Sequence, residues 1–112
     1  MKISEIIPYV LNEDLEKEFF FSQWEYSNRK ICIVKVKCDN GLVGWGEAYG
    51  PAPVVKESIN YIKQNIIGMS PLESDVIWSI LFRRVHDYGR SGVFLSAISA
   101  IDVALWLSLI HI

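Results

Sequence analysis

Apolar and polar positions alternate through the first third of the chain and give way, after Pro51, to a helical period. The two periods, 2.0 and 3.6, separate strands from helices. Lys2 to Leu11 reads as a strand, with Pro8 suited to an edge or a bulge. Lys30 to Cys38 reads as a second strand. Cys32, Val34, Val36 and Cys38 fall on one face, and the other face turns polar at Lys35 and Lys37, as in an antiparallel sheet with one side to solvent. Asn40-Gly41 then signals a hairpin, expected as a two-residue type I′ turn. Leu42 to Tyr49 is the third strand. Gly44 and Gly46 leave its pleat bare where another backbone or a ligand can come close, while Trp45 and Glu47 share the opposite face.

Asn12 to Arg29 has neither period. It opens acidic (Glu13, Asp14, Glu16, Glu18) and turns aromatic (Phe19, Phe20, Phe21, Trp24, Tyr26), and it is expected to be a long binding loop. Past Pro51, Val55, Ile59, Ile62 and Ile66 trace one helical face that Gly68 closes. Ser70-Pro71-Leu72-Glu73 has the form of a capping box with Pro at the first helical position, and predicts a helix running to about Tyr88. Apolar residues cover most of that helix, from Leu72 and Val76 to Phe82 and Val85, which predicts burial from more than one side. The last helix, Val93 to about Trp106, is studded with Ser96, Ala97, Ser99, Ala100 and Ala104, which allow close packing. Strands first and helices afterwards mean α+β: a three-stranded antiparallel meander followed by a three-helix bundle.

The 112 residues make one domain or part of one, and with 51% hydrophobic residues they can bury a core. Net charge is −2 and the basic residues are scattered, which excludes a nucleic-acid surface. Cys32 and Cys38, on one face of one strand, stand ~20 Å apart at ~3.3 Å per residue, beyond the reach of a disulfide. With no leader pattern at Met1, reduced structural thiols in a cytoplasmic protein are expected.

Two segments carry a resemblance. Gly41-Leu42-Val43-Gly44-Trp45-Gly46-Glu47-Ala48 resembles the G-[LIV]-x-G-x-G-E strand of the enolase superfamily, in its mandelate racemase and muconate-lactonising branch. Ser96 to Trp106 is similar to the helix that closes the family's N-terminal capping domain. The resemblance spans residues 1–106 and implies an enolase-like N-terminal domain over a (β/α) barrel. That barrel holds the acid and base residues and binds Mg²⁺, which stabilises the enediolate formed when a proton leaves the carbon α to a carboxylate. No catalytic residue and no metal ligand is assigned to this chain. What the resemblance gives it is two pocket loops. The first would bring Phe19, Phe21 and Trp24 as apolar walls, with Gln23 and Tyr26 as hydrogen-bonding groups; the second would bring Glu47 and Tyr49. The implied partners are a small carboxylate substrate and further copies of the full enzyme, with no nucleic acid and no membrane.

Asp102, mid-helix in an apolar stretch, is expected to pair with Arg83, Arg84 or Arg90 in a structural role. His86 beside Asp87 reads as a surface histidine, because neighbours i and i+1 on a helix face apart. Two other readings compete: a module attached to a membrane through residues 95–112, with Asp102 a costly centre, and a free-standing binding domain whose aromatic segment is the contact surface. After Trp106 the family pattern continues with Asp and then Gly-Lys, whereas here Leu107-Ser108-Leu109-Ile110-His111-Ile112 follows. Residues 107–112 are therefore expected to be foreign to the native protein, whose barrel would need roughly 250 further residues. Sequencing the source DNA past codon 106 checks this: the expected finding is an Asp codon followed by Gly-Lys, and a native stop codon directly after Ile112 refutes it.

Overall fold

The structure is a computed structural model. It describes the backbone of residues 1–21, 24–86 and 92–110, and the side chains of 1–12, 30–86 and 92–107. Three strands, β1 (Ile3–Phe21), β2 (Trp24–Cys38) and β3 (Val43–Ala48), form an antiparallel sheet in the order β1-β2-β3. Three helices follow: α1 (Ala52–Ile62), α2 (Ser74–Arg84) and α3 (Val93–Ile110). The α+β meander and helical trio expected from the sequence are present.

One face of the sheet makes the core. Ile6, Cys32, Val34 and Val36 are fully buried against Val55, Ile59 and Ile62 of α1, Ile77 and Leu81 of α2, and the inner face of α3. Both cysteines are free and buried in this layer, and burial pushes their thiols above the ordinary range. Pro8 sits in β1 opposite Val34, on the edge strand of the sheet, where proline is tolerated. The loop after α1 is tied to the start of the sheet. Ile3 N donates to Met69 O and Gly68 N to Ile3 O, both at 2.8 Å, and Lys63 Nζ donates to Ile6 O at 3.1 Å.

β3 meets α3 through its bare glycine. A Cβ built on Gly46 would overlap the Ala100 carbonyl oxygen and lie 3.3 Å from Ala104 N. Ala97, Ala100 and Ala104 are all buried along this contact. The small-residue stripe of the last helix and the glycine-spaced strand are two halves of one close approach.

Four local expectations are corrected. The segment 12–29 is largely strand. β1 runs through Phe21 and β2 begins at Trp24, with Phe19 opposite Tyr26 and Phe21 opposite Trp24 beyond a register shift between Asp14 and Phe19. Aromatic residues favour pleated backbone, and the acidic stretch that hides the period falls at the shift. The hairpin after β2 is the three-residue form: Cys38 N donates to Leu42 O, Gly41 N to Cys38 O, and Gly41 takes φ +90°. Ser70 starts no helix. Its hydroxyl accepts from Leu72 N at 3.2 Å and its carbonyl from Glu73 N at 3.0 Å, a turn that competes with the capping box, so α2 begins at Ser74. Finally, α2 buries only Ile77 and Leu81, and Val76 remains half exposed, because no second layer covers its far side among the described residues. Tyr88, expected at its end, lies outside the described residues.

Among the described residues no helix is long and apolar enough to cross a membrane. The α3 segment behind the membrane reading instead packs its buried face on β3 and α1.

Gly46→Ala is expected to destabilise the domain by about 3 kcal/mol or more, because the added methyl meets backbone that cannot rotate away. Gly41→Ala, at a positive φ in open space, is expected to cost about 1 kcal/mol. Urea unfolding followed by circular dichroism compares the two.

Candidate functional site

β3 ends at Ala48, but β1 and β2 run on past it as a two-stranded arm. Strand alternation buries Ala48 and turns Glu47 and Tyr49 the other way; Tyr49, just past the strand, is 91% exposed. Gly50 takes φ +125°, and Pro51 then caps α1, its carbonyl accepting from Val54 N and Val55 N at 3.0 Å. This corner sets the direction in which Tyr49 leaves the sheet.

An open pocket of about 770 Å³ lies here, lined by Lys30, Ile31, Glu47, Tyr49 and Pro51 among others. A second, of about 460 Å³, lies between the end of β3 and the first turns of α3, where Glu47 and Tyr49 face Gly92, Leu95, Ser96 and Ser99. Glu47 and Tyr49 thus line both. Of the sequence candidates the structure brings these two together. Phe19, Phe21, Trp24 and Tyr26 lie on the arm, where the backbone register is described but the side chains are not. Gln23 falls outside the described residues.

Lys30, Ser96 and Ser99 were missed by sequence reasoning. Lys30 looks like the polar start of a strand, and the serines look like packing residues of a helix. Only the antiparallel register, which puts Cys32 opposite Ala48, carries Lys30 to the β3 corner. The serines repeat at i, i+3, a weak sign of one shared helical face. Chemically the lining is mixed: an ammonium that only donates, a carboxylate that accepts, two hydroxyls that do both, and an exposed phenol ring. Among the described residues no group of three or more His, Cys, Asp or Glu side chains could hold a metal ion.

The arrangement of sheet, helices and pocket corner has counterparts. Residues 7–108 match the family model described as "Mandelate racemase / muconate lactonizing enzyme, N-terminal domain". The chain belongs to this family. As a capping domain of the enolase superfamily it is 34% identical over 106 residues to D-galactarolactone cycloisomerase of Agrobacterium fabrum, covering 95% of this chain and 28% of that protein. It is 37% identical over 76 residues to a D-galactonate dehydratase of Pectobacterium atrosepticum, covering 66% and 20%. The crystal structure of 3,6-anhydro-D-galactonate cycloisomerase from Zobellia galactanivorans superposes with a TM-score of 0.84 at 45% identity, covering 95% of this chain and 27% of that one. The match therefore spans between a fifth and little more than a quarter of the length of these relatives.

Asp102 stands apart from the pocket corner. It is half buried on α3; of its expected partners, Arg84 lies over the Tyr61 ring at 4.8 Å, Arg83 is exposed, and Arg90 lies outside the described residues. Burial first, and then the nearby Asp75 carboxylate, push the Asp102 carboxyl above its ordinary value of 3.8. A raised carboxyl contributes stability that is present below 3.8 and is lost as pH rises through the folded-state value. Asp102→Asn is therefore expected to match the parent chain below that pH and to exceed its stability at neutral pH. Paired unfolding curves at the two pH values check the sign.

Proposed function

We propose that residues 1–106 are the substrate-capping and specificity domain of an enzyme that removes a proton α to the carboxylate of a sugar acid, of the dehydratase, racemase, epimerase or cycloisomerase type. The observation that carries this reading is the convergence of Glu47, Tyr49, Lys30, Ser96 and Ser99 on one open corner. The aromatic arm of β1 and β2 extends from that same corner. Donors, acceptors and an aromatic ring around two pockets that share Glu47 and Tyr49 suit the hydroxyl-rich end of a sugar acid. The named activities of the relatives, on galactarolactone, galactonate and anhydrogalactonate, are of the same chemical class.

In this reading Phe19, Phe21 and Trp24 form apolar walls on the arm. Gln23 and Tyr26 orient the substrate by hydrogen bonds, and Glu47 and Tyr49 close the pocket from the sheet side. The proton transfer, and the Mg²⁺ that supports it, belong to the barrel that such relatives carry beyond the part matched here. The complete enzyme works as a homo-oligomer, away from membranes.

Two measurements test the reading. Pure 112-residue chain is expected to turn over no sugar acid, and measurable turnover overturns the division of labour. In the complete enzyme, Tyr49→Ala and Lys30→Met are each expected to raise KM for the sugar acid about tenfold while kcat changes little, the mark of lost uniform binding. A fall in kcat at unchanged KM would count against a capping role.

A further inference from the structure

One tyrosine ring joins α1, α2 and α3. Tyr61 lies in the last turn of α1. Arg84, the last residue of α2, holds its guanidinium over that ring at 4.8 Å from the centroid. Phe94, the second residue of α3, meets the same ring in a T-shaped contact, with centroids 6.0 Å apart and planes inclined at 62°. Both geometries are attractive, since a cation favours the negative face of a ring and ring pairs favour edge against face. Arg84 and Phe94 stand at the two ends of the connection between α2 and α3, so their meeting on one ring ties the exit of one helix to the entry of the next.

That entry forms one wall of the pocket corner. Gly92, Leu95, Ser96 and Ser99 line the second pocket opposite Glu47 and Tyr49. At about 100° per residue, Phe94 projects from the side of α3 away from Ser96, so the stack stands behind the wall and not in the pocket. Full burial on α3 begins at Ala97 and Ile98, while Val93 to Ser96 are only partly buried. Gly92, at φ +87° with open space where a Cβ would stand, adds no side chain to brace this turn. The first turn of α3 therefore leans on whatever holds Phe94.

We infer that Tyr61 and Arg84 are positioning residues for the pocket corner: the Arg84–Tyr61–Phe94 stack fixes the first turn of α3, and with it the wall that Leu95, Ser96 and Ser99 present to Glu47 and Tyr49. None of the three stacked residues is among those lining either pocket; they act through the turn they hold. Hydroxyl groups recognise a ligand within narrow limits of distance and angle, so a small rotation of this turn moves Ser96 and Ser99 out of register with the opposite wall. The value of that wall to a substrate rests on the capping reading, whereas the hold on the turn does not.

Amide hydrogen exchange of the 112-residue chain, read residue by residue by NMR, tests the hold. The amides to follow are Ser96, whose N–H donates to Gly92 O at 3.0 Å, and Ala97 to Ser99 after it. Tyr61→Leu is expected to speed their exchange about tenfold and Arg84→Gln about threefold, while Tyr61→Phe, which keeps the ring, stays within about twofold of the parent chain. Gly41→Ala, remote from the stack, weakens the domain as a whole and is expected to leave these amides unchanged. Unchanged exchange in Tyr61→Leu overturns the inference. Equal acceleration by Gly41→Ala also overturns it, because these amides then open only with the whole domain. In the complete enzyme, Tyr61→Leu and Arg84→Gln are expected to raise KM for the sugar acid about threefold or more at little-changed kcat, with Tyr61→Phe near the parent value. Faster exchange with an unchanged KM upholds the positioning and counts against the capping reading of the pocket instead.

Discussion

A strand and a helix come to backbone distance where Gly46 of β3 faces Ala100 and Ala104 of α3. The contact is possible because neither element presents a side chain larger than a methyl group there. Its consequence reaches beyond packing. Glu47 and Tyr49 follow Gly46 by one and three residues, and Ser96 and Ser99 precede Ala100 by one turn of helix or less, so the depth of the contact sets the distance between the two walls of the pocket. A side chain at position 46 would push α3 off the sheet and carry one wall away from the other.

The two faces of the sheet are put to different uses. The inner face holds a close-packed layer of Ile, Val, Cys and Ala with no polar side-chain atom left unsatisfied among the described residues. The outer face carries tyrosine, tryptophan, leucine and isoleucine, with Tyr9, Leu11 and Trp45 exposed. The sheet edge behaves in the same way. β1 and β2 continue well beyond β3, and an arm of two strands with nothing paired beyond them draws little stability from its own ladder. Such an arm is suited to contact something outside the domain.

Much of this was legible from residue order. The pleat faces of β2 and β3 followed from alternation, because a strand has only two faces. The close approach at Gly46 followed from a glycine spaced at two and a helix studded with alanine. Four expectations failed for definable reasons. The arm was hidden because an acidic stretch at a register shift breaks the alternation on which strand reading depends. Ser70 offered a cap that a tighter local turn consumed. Asn-Gly supports more than one hairpin length, and Asp39 joined the loop, held by Lys2 N at 2.9 Å. The apolar cover of α2 predicts burial from more than one side, but no second layer meets its far side among the described residues.

By itself the sequence determined the α+β order, the two faces of β2 and of β3, the family, and Glu47 and Tyr49 as pocket candidates. Each of these is written in local periods and short motifs, and neighbours along the chain suffice to read them. Only the tertiary structure decided that Lys30, Ser96 and Ser99 share a corner with Tyr49 and that the Tyr9 and Trp45 rings meet on the outer sheet face. Those facts depend on registers between segments far apart in sequence, and a register is chosen by the packing of the whole.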